Sequence, residues 1–80
     1  MRFFDRDRVE RVKEQFPSGT RVECVHINDP FAPIYPGDRG TVRSVDDIGT
    51  IHVAWDSGRS LGAALGEDVV RAIHDEKEGQ

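Results

Sequence analysis

The stretch from Gly40 to Gly58 constrains the fold more than any other part of the chain. In its second half, Ile51, Val53 and Trp55 occupy every other position. A period of two residues over this length is typical of a β-strand with one buried face. An acidic turn containing a glycine separates this strand from a shorter apolar run before it. The stretch therefore predicts a β-hairpin.

Around this hairpin the sequence predicts one short helix and several further strands. Val9, Val12 and Phe16 form an apolar stripe at helical spacing, and Pro17 disfavours helical geometry at the residue before it. The predicted strands are Thr20–Ile27, Thr41–Val45, Thr50–Trp55, Arg59–Leu65 and Val69–Ile73. Turns at this spacing favour a mainly β fold, a small antiparallel β-barrel of about five strands, because closure removes exposed strand edges.

Length and composition favour a single soluble domain. A chain of 80 residues allows one domain, which we divide into a helical segment 1–16 packed on the barrel, a barrel 17–73 and a flexible acidic tail 74–80. Cys24 is the only cysteine, so no intrachain disulfide is available, and this predicts a reducing, cytoplasmic location. No stretch approaches the roughly 20 apolar residues of a membrane span.

The charge balance bears on the kind of partner. Fifteen acidic residues against eleven basic ones give a net charge of −4. Non-specific binding of duplex nucleic acid normally rests on a basic surface, so this balance makes it the less favoured function. The thin core expected at this length is compatible with a monomer or a small homo-oligomer.

The segment Asn28–Asp38 combines stiffness with aromatic side chains. Its three prolines fix the backbone and forbid regular strand pairing, and it carries Phe31, Ile34 and Tyr35. A rigid loop that holds aromatic residues is a common way to build a binding surface. The alternative is that Phe31 and Ile34 plug one end of the barrel, which leaves Tyr35 as the one of the three that we expect at the surface.

No arrangement of residues in the sequence predicts catalysis, a metal or a cofactor. Cys24 and His26 are two residues apart in a predicted strand, so their side chains would share a face and could touch. A buried small residue beside a hydrogen-bonded histidine is the commoner meaning of this pair. Asp46 and Asp47 stand in a turn without the spacing of a calcium loop, where aspartates usually accept local backbone N–H groups.

Trp55 has two interpretations. Alternation assigns it to the face of Ile51 and Val53, which makes it core. A tryptophan at a strand end also suits a barrel mouth, where its N–H needs a partner and its ring adds to a binding surface with Tyr35.

Several motifs together resemble one family. They are D-P-F-A-P-I at 29–34, P-G-D-R-G-T-V at 36–42 and V-D-D-I-G-T-I-H-V-A-W-D-S-G at 45–58. In these, and over roughly Pro17–Ile73, the chain resembles the bacterial and mobile-element family named domain of unknown function 4314. The resemblance implies an SH3-like barrel, similar to KOW and Tudor-type modules. It implies no established activity and no functional residues. Genes of this kind often lie on phages and conjugative elements, which favours interaction with a host.

Two functions follow as expectations. The first is a non-catalytic module that grips a host protein or a second copy of itself through the proline-rich loop and the barrel mouth. Its expected binding residues are Phe31, Tyr35, Trp55, Asp47, Asp56 and Arg59. The second is a nucleotide or nucleic-acid binder that stacks a base on Tyr35 or Trp55 and pairs phosphate with an arginine. Its candidate arginines are Arg39, Arg43 and Arg59, the first two sharing one strand face by their spacing.

Overall fold

A computed structural model of the protein describes residues 6–29 and 31–73. The elements in chain order are α1 (Arg6–Gln15), β1 (Arg21–His26), β2 (Arg39–Val45), β3 (Ile51–Trp55), β4 (Ser60–Ala63) and β5 (Val69–Ala72). The mainly β class, with five antiparallel strands in one sheet and one short N-terminal helix, is therefore confirmed. The tail 74–80 lies outside the described residues.

The sheet has the order β4-β3-β2-β1-β5, with every neighbouring pair antiparallel. The first four strands form a meander, and β5 returns to lie beside β1. The two outer strands are joined only by residues 64–68, which backbone hydrogen bonds from Glu67 and Asp68 to the Ala64 carbonyl wind into a turn. Four strand spacings in a flat sheet would separate the outer strands by about 19 Å. The sheet therefore curls into a barrel-like form.

The inner face of the sheet forms the core. Its fully buried side chains are Val22, Cys24, Val42 and Val53. Ile51 and Trp55 are buried with them, as the alternation predicted. The helix covers part of this face with Val9 and Val12, while Phe16 is partly buried just beyond its end. A helix of 10 residues is too short to be stable alone, so this apolar contact is what keeps α1 folded.

A bulge in β1 separates Cys24 from His26. The pairing of β1 with β5 shifts register between these residues, and Cys24 is buried whereas Val25 and His26 are exposed. The expectation that the two side chains share a face is wrong, because the extra residue of a bulge interrupts alternation. Burial is also the main cause that raises the pKa of the Cys24 thiol, the opposite of what an activated nucleophile requires.

Strand boundaries differ from the predicted ones by up to two residues. β2 begins at Arg39, two residues earlier than predicted, and β4 ends at Ala63. Leu65, predicted to be in a strand, instead lies over the β2–β3 turn, where a Cβ added at Gly49 would be 2.6 Å from its Cδ2. Among the described residues there is no helix with the length and apolar character needed to cross a membrane.

Candidate functional site

The loop between β1 and β2 has one buried face and one exposed face. Ala32 and Ile34 are buried, whereas Phe31 is 91% exposed and Tyr35 is 65% exposed. Burial thus alternates along the loop as it does along a strand, although the loop pairs with no strand at these positions. Ile34 fills the core, as the plug alternative predicted, whereas Phe31 lies at the surface and is not part of a plug.

Two aspartates fix the backbone beside the exposed aromatics. The Asp29 Oδ1 atom accepts the Phe31 N–H at 2.9 Å, and the Asp38 Oδ2 atom accepts the Tyr35 N–H at 3.0 Å. The Tyr35 carbonyl in turn accepts the Asp38 N–H at 2.9 Å. These local bonds are the usual reason for aspartate in turns. They set the direction of each aromatic side chain before any partner arrives.

The loop is tied to the sheet at both of its ends. The Gly37 N–H donates to the Cys24 carbonyl at 2.8 Å, and the Cys24 N–H donates to the Asp38 carbonyl at 2.7 Å. At the other end, the Asn28 N–H donates to Asp68 Oδ1 at 2.8 Å. The second oxygen of Asp68 accepts the Ala64 N–H at 2.8 Å, so one carboxylate joins the loop to the β4–β5 turn.

The role of Asp68 was not predicted from the sequence. Its bond to Ala64 spans four residues and belongs to a turn that an acidic residue suits. Its bond to Asn28 spans 40 residues and depends on the curl of the sheet. No local pattern contains that information.

Replacing Asp68 with alanine should loosen the loop. Two backbone N–H groups would lose their acceptor, which we expect to lower the free energy of unfolding by about 1–2 kcal/mol. Hydrogen exchange should accelerate at the amides of Asn28 and Ala64. Glu67→Ala, at the exposed neighbouring position, is the control. Equal exchange at both amides in the two variants would contradict this role for Asp68.

Three charged residues were expected at the site. Two of them, Asp56 and Arg59, lie at the end of the sheet that carries the loop. The Asp56 N–H donates to the carbonyl of Arg39, the first residue after the loop and its closing turn, at 2.9 Å. Arg59 is exposed in the same β3–β4 turn. Asp47 lies in the β2–β3 turn at the opposite end of β3, where its carboxylate accepts from Lys13 Nζ at 2.9 Å. The structure therefore does not bring Asp47 to the aromatic loop.

The Asp56 side chain is engaged by an arginine of β1. Arg21 donates to both carboxylate oxygens, with distances of 2.8 Å and 2.6 Å. The hydrogen bond from Arg21 is the main cause that holds the pKa of Asp56 below its ordinary value. Asp56 thus stabilises the end of the sheet that carries the loop.

The ion pair between Arg21 and Asp56 should make the free energy of unfolding depend on pH in the acid range. A carboxyl whose pKa is lowered by folding contributes stability above its unfolded pKa, about 3.9, and loses it as the pH falls through the folded pKa. Asp56→Asn should therefore lower the free energy of unfolding by about 0.5–1 kcal/mol at neutral pH and by nothing in strong acid. Urea titrations at both pH values measure this. Asp47→Asn, with a carboxylate 97% exposed, is the control and should change little. A loss for Asp56→Asn that persists in acid would contradict the assignment.

Trp55 belongs to the core. It is 3% exposed, and its indole N–H donates to the Leu61 carbonyl at 3.1 Å. Of the two interpretations, the structure has the buried one, and the ring offers no face beside Tyr35. The exposed aromatic surface of the loop consists of Phe31 and Tyr35, which we call the aromatic pair.

The candidate phosphate-binding arginines do not form one cluster. Arg39 lies 3.9 Å from the carboxylate of Glu23, at the start of β2. Arg43 lies near the other end of the strand, at a bulge where the register shifts between Val42 and Ser44. The alternation that placed the two side chains together is interrupted at that point. Across residues 6–29 and 31–73, no group of three or more His, Cys, Asp or Glu side chains is arranged to hold a metal.

Comparison with protein families agrees with the motifs. A family model described as a domain of unknown function matches residues 5–73. The match includes α1 as well as the sheet, so it extends further than the resemblance over Pro17–Ile73. Comparisons with curated proteins and with solved structures found no significant match. The chain belongs to the family described as domain of unknown function 4314 (DUF4314).

Proposed function

We propose that the protein is a non-catalytic binding module that recognises a partner protein through the aromatic pair. The observation that carries this proposal is the exposure of Phe31, 91%, on a loop whose opposite face is anchored in the core by Ile34. Single exposed apolar residues are common, but two aromatic side chains on the exposed face of one anchored loop form a patch of the kind that marks an interaction surface.

The loop reduces the entropic cost of binding. Aromatic side chains bury a large area with few rotatable bonds, and they dominate many protein interfaces. Here the prolines and the bonds from Asp29 and Asp38 already fix the backbone. Binding then has to order little beyond the side chains themselves. We expect truncation of each aromatic to cost about 2 kcal/mol of binding free energy.

The charge of the loop specifies the chemistry of the partner. Between residues 28 and 38 the chain carries two aspartates and no lysine or arginine. A complementary surface would be an apolar cleft with a basic rim, since like charges across an interface are unfavourable. Arg59, at the same end of the sheet, would contact the edge of this surface.

We propose that the module is an SH3-like barrel encoded by a phage or a conjugative element. It would act in the cytoplasm, on a protein of the host. The meander of four strands with a returning fifth supports the barrel type. The motif resemblance supports the host context. The alternative of base stacking on Tyr35 and Trp55 has less support, because Trp55 is buried and Arg39 already faces Glu23.

Site-specific photo-crosslinking tests the proposal. A photoreactive p-benzoylphenylalanine replaces Phe31 in one protein and Ile48 in another, since Ile48 is an exposed apolar residue in the β2–β3 turn. Irradiation in bacterial lysate should give a discrete adduct at position 31 that is absent at position 48. The mass of one chain is 9.0 kDa. An adduct of about twice that mass would identify a second copy as the partner. The same adducts from both positions, or none from position 31, would overturn the proposal.

A further inference from the structure

A groove with four polar side chains on the outer face of the sheet is independent of the aromatic pair. It has a volume of about 320 Å³ and crosses β2, β3 and β4. Its polar lining consists of Arg43, Ser44, His52 and Ser60, and Val53, Leu61 and Gly62 complete the lining. The strand register sets this arrangement, because His52 pairs with Ser44 on one side and with Gly62 on the other.

The β2 bulge directs Arg43 to the groove. Bulges often re-aim a side chain near a functional site. The other arginines of the sheet are paired, Arg21 with Asp56, and Arg39 and Arg71 with Glu23. Within residues 6–29 and 31–73, no carboxylate forms an ion pair with Arg43. Its guanidinium is therefore available to an anion.

His52 is held in place through one of its two ring nitrogens. Its Nε2 atom lies 2.9 Å from Asp46 Oδ2, and Asp46 Oδ1 accepts the Thr50 N–H at 2.9 Å, so the carboxylate is itself anchored. A Cβ added at Gly62 would lie 3.6 Å from His52 Nδ1. The Thr50 Cγ2 atom lies 2.7 Å from the same Cβ position, so the absence of a side chain at Gly62 lets β3 and β4 lie close together beside that nitrogen. The imidazole can share one proton with a ligand through Nδ1, as acceptor or as donor.

These groups fit one ligand chemistry. A guanidinium binds phosphate oxygens in a bidentate fork, hydroxyl groups of Ser44 and Ser60 can donate to the same oxygens, and an imidazole nitrogen suits a phosphate that shares a proton. The volume is at the small end of ligand sites. A net charge of −4 opposes a long polyanion. We propose that this groove binds the phosphate group of a small phosphomonoester, such as a mononucleotide or a phosphorylated metabolite.

Titration of ¹⁵N-labelled full-length protein in phosphate-free buffer tests the proposal. The probes are inorganic phosphate, adenosine monophosphate, adenosine and a short oligonucleotide. Phosphate and the monophosphate should shift the amides of Ser44, His52 and Gly62 saturably, with a dissociation constant of about 1 mM or lower. Adenosine should not shift them. A tighter constant for the monophosphate than for phosphate would show that the nucleoside contributes, and equal constants would indicate recognition of the phosphate alone.

Matched variants locate the site. Arg43→Gln should weaken phosphate binding about tenfold, because a charge-assisted bidentate contact is lost. Arg11→Gln removes the same charge from an exposed position on α1, outside the groove, and should change nothing. The Phe31→Ala/Tyr35→Ala variant should also bind phosphate normally, which separates this proposal from the protein-binding one. No saturable shift up to about 10 mM phosphate, equal losses for Arg43→Gln and Arg11→Gln, or binding of the oligonucleotide alone would overturn it. The spectrum of each variant reports whether it is folded.

Discussion

Replacing Trp55 with alanine is expected to unfold most of the protein. Trp55 is 3% exposed at the centre of the core, and truncation of a buried tryptophan costs about 3–5 kcal/mol. A single core of this size supplies only about 3–5 kcal/mol in total. The cavity left behind would adjoin Val53 and Val42, which belong to the same cluster. The loss therefore takes nearly all of the available stability.

Urea or thermal unfolding followed by circular dichroism measures this effect. Trp55→Phe is the matched control, since it keeps an aromatic core residue but removes the hydrogen bond to the Leu61 carbonyl. We expect the control to fold with a loss of about 1–2 kcal/mol. If the free energy of unfolding of Trp55→Ala lay within about 1 kcal/mol of the wild-type value, Trp55 would not be a core residue.

Gly40→Ala is the second substitution with a large expected effect. A Cβ at this position would lie 2.6 Å from Val53 Cγ1, 2.8 Å from the Ala54 carbonyl oxygen and 3.0 Å from Trp55 Cα. The backbone φ of Gly40 is not positive, so alanine could adopt this backbone conformation. The obstacle to alanine is steric overlap of its Cβ with β3. Two of these atoms belong to the β3 backbone and can move only if the β2–β3 pairing opens. We expect a loss of about 3 kcal/mol.

Equilibrium unfolding in urea checks this prediction too. Ser44→Ala is the control because Ser44 is exposed on the same strand and already carries a Cβ. It should change the free energy of unfolding by less than about 0.5 kcal/mol. If Gly40→Ala were as stable as Ser44→Ala, the close approach of β2 and β3 at Gly40 would be contradicted.

The sheet was predictable because burial of one face imposes a period of two on the sequence. Ile51, Val53 and Trp55 are all buried as that pattern requires. The helix was predictable for the same kind of reason, since Val9 and Val12 form its buried stripe. Both patterns are local consequences of side-chain direction, so a single sequence contains them.

The bulges were harder to predict, because they depend on pairing between strands. The extra residue near Val25 separates Cys24 from His26, and the one at Arg43 directs that side chain to the groove. The sequence of β1 does show a change of phase, because Val22 and Cys24 alternate on one face whereas Val25 and Ile27 fall on the other. Nothing local, however, places the extra residue, because its position is set by the register with β5.

The aromatic loop was predictable in part. Its prolines indicate stiffness, and its aromatics indicate recognition. Which side chains face outward depends on the curl of the sheet, which takes Ile34 into the core and leaves Phe31 at the surface. The link from Asp68 to Asn28 depends on the same curl. The sequence also grouped Trp55 and Asp47 with the loop. Trp55 instead lies in the core, and Asp47 lies in the turn at the far end of β3.

The most direct test of the account is the affinity of the crosslinked partner for matched variants. The partner would be purified and titrated against wild type, Phe31→Ala/Tyr35→Ala and Ile48→Ala by calorimetry. The account predicts that the double variant raises the dissociation constant by at least about thirtyfold, while Ile48→Ala leaves it unchanged. A folded double variant that binds within about twofold of the wild type would contradict recognition through the aromatic pair.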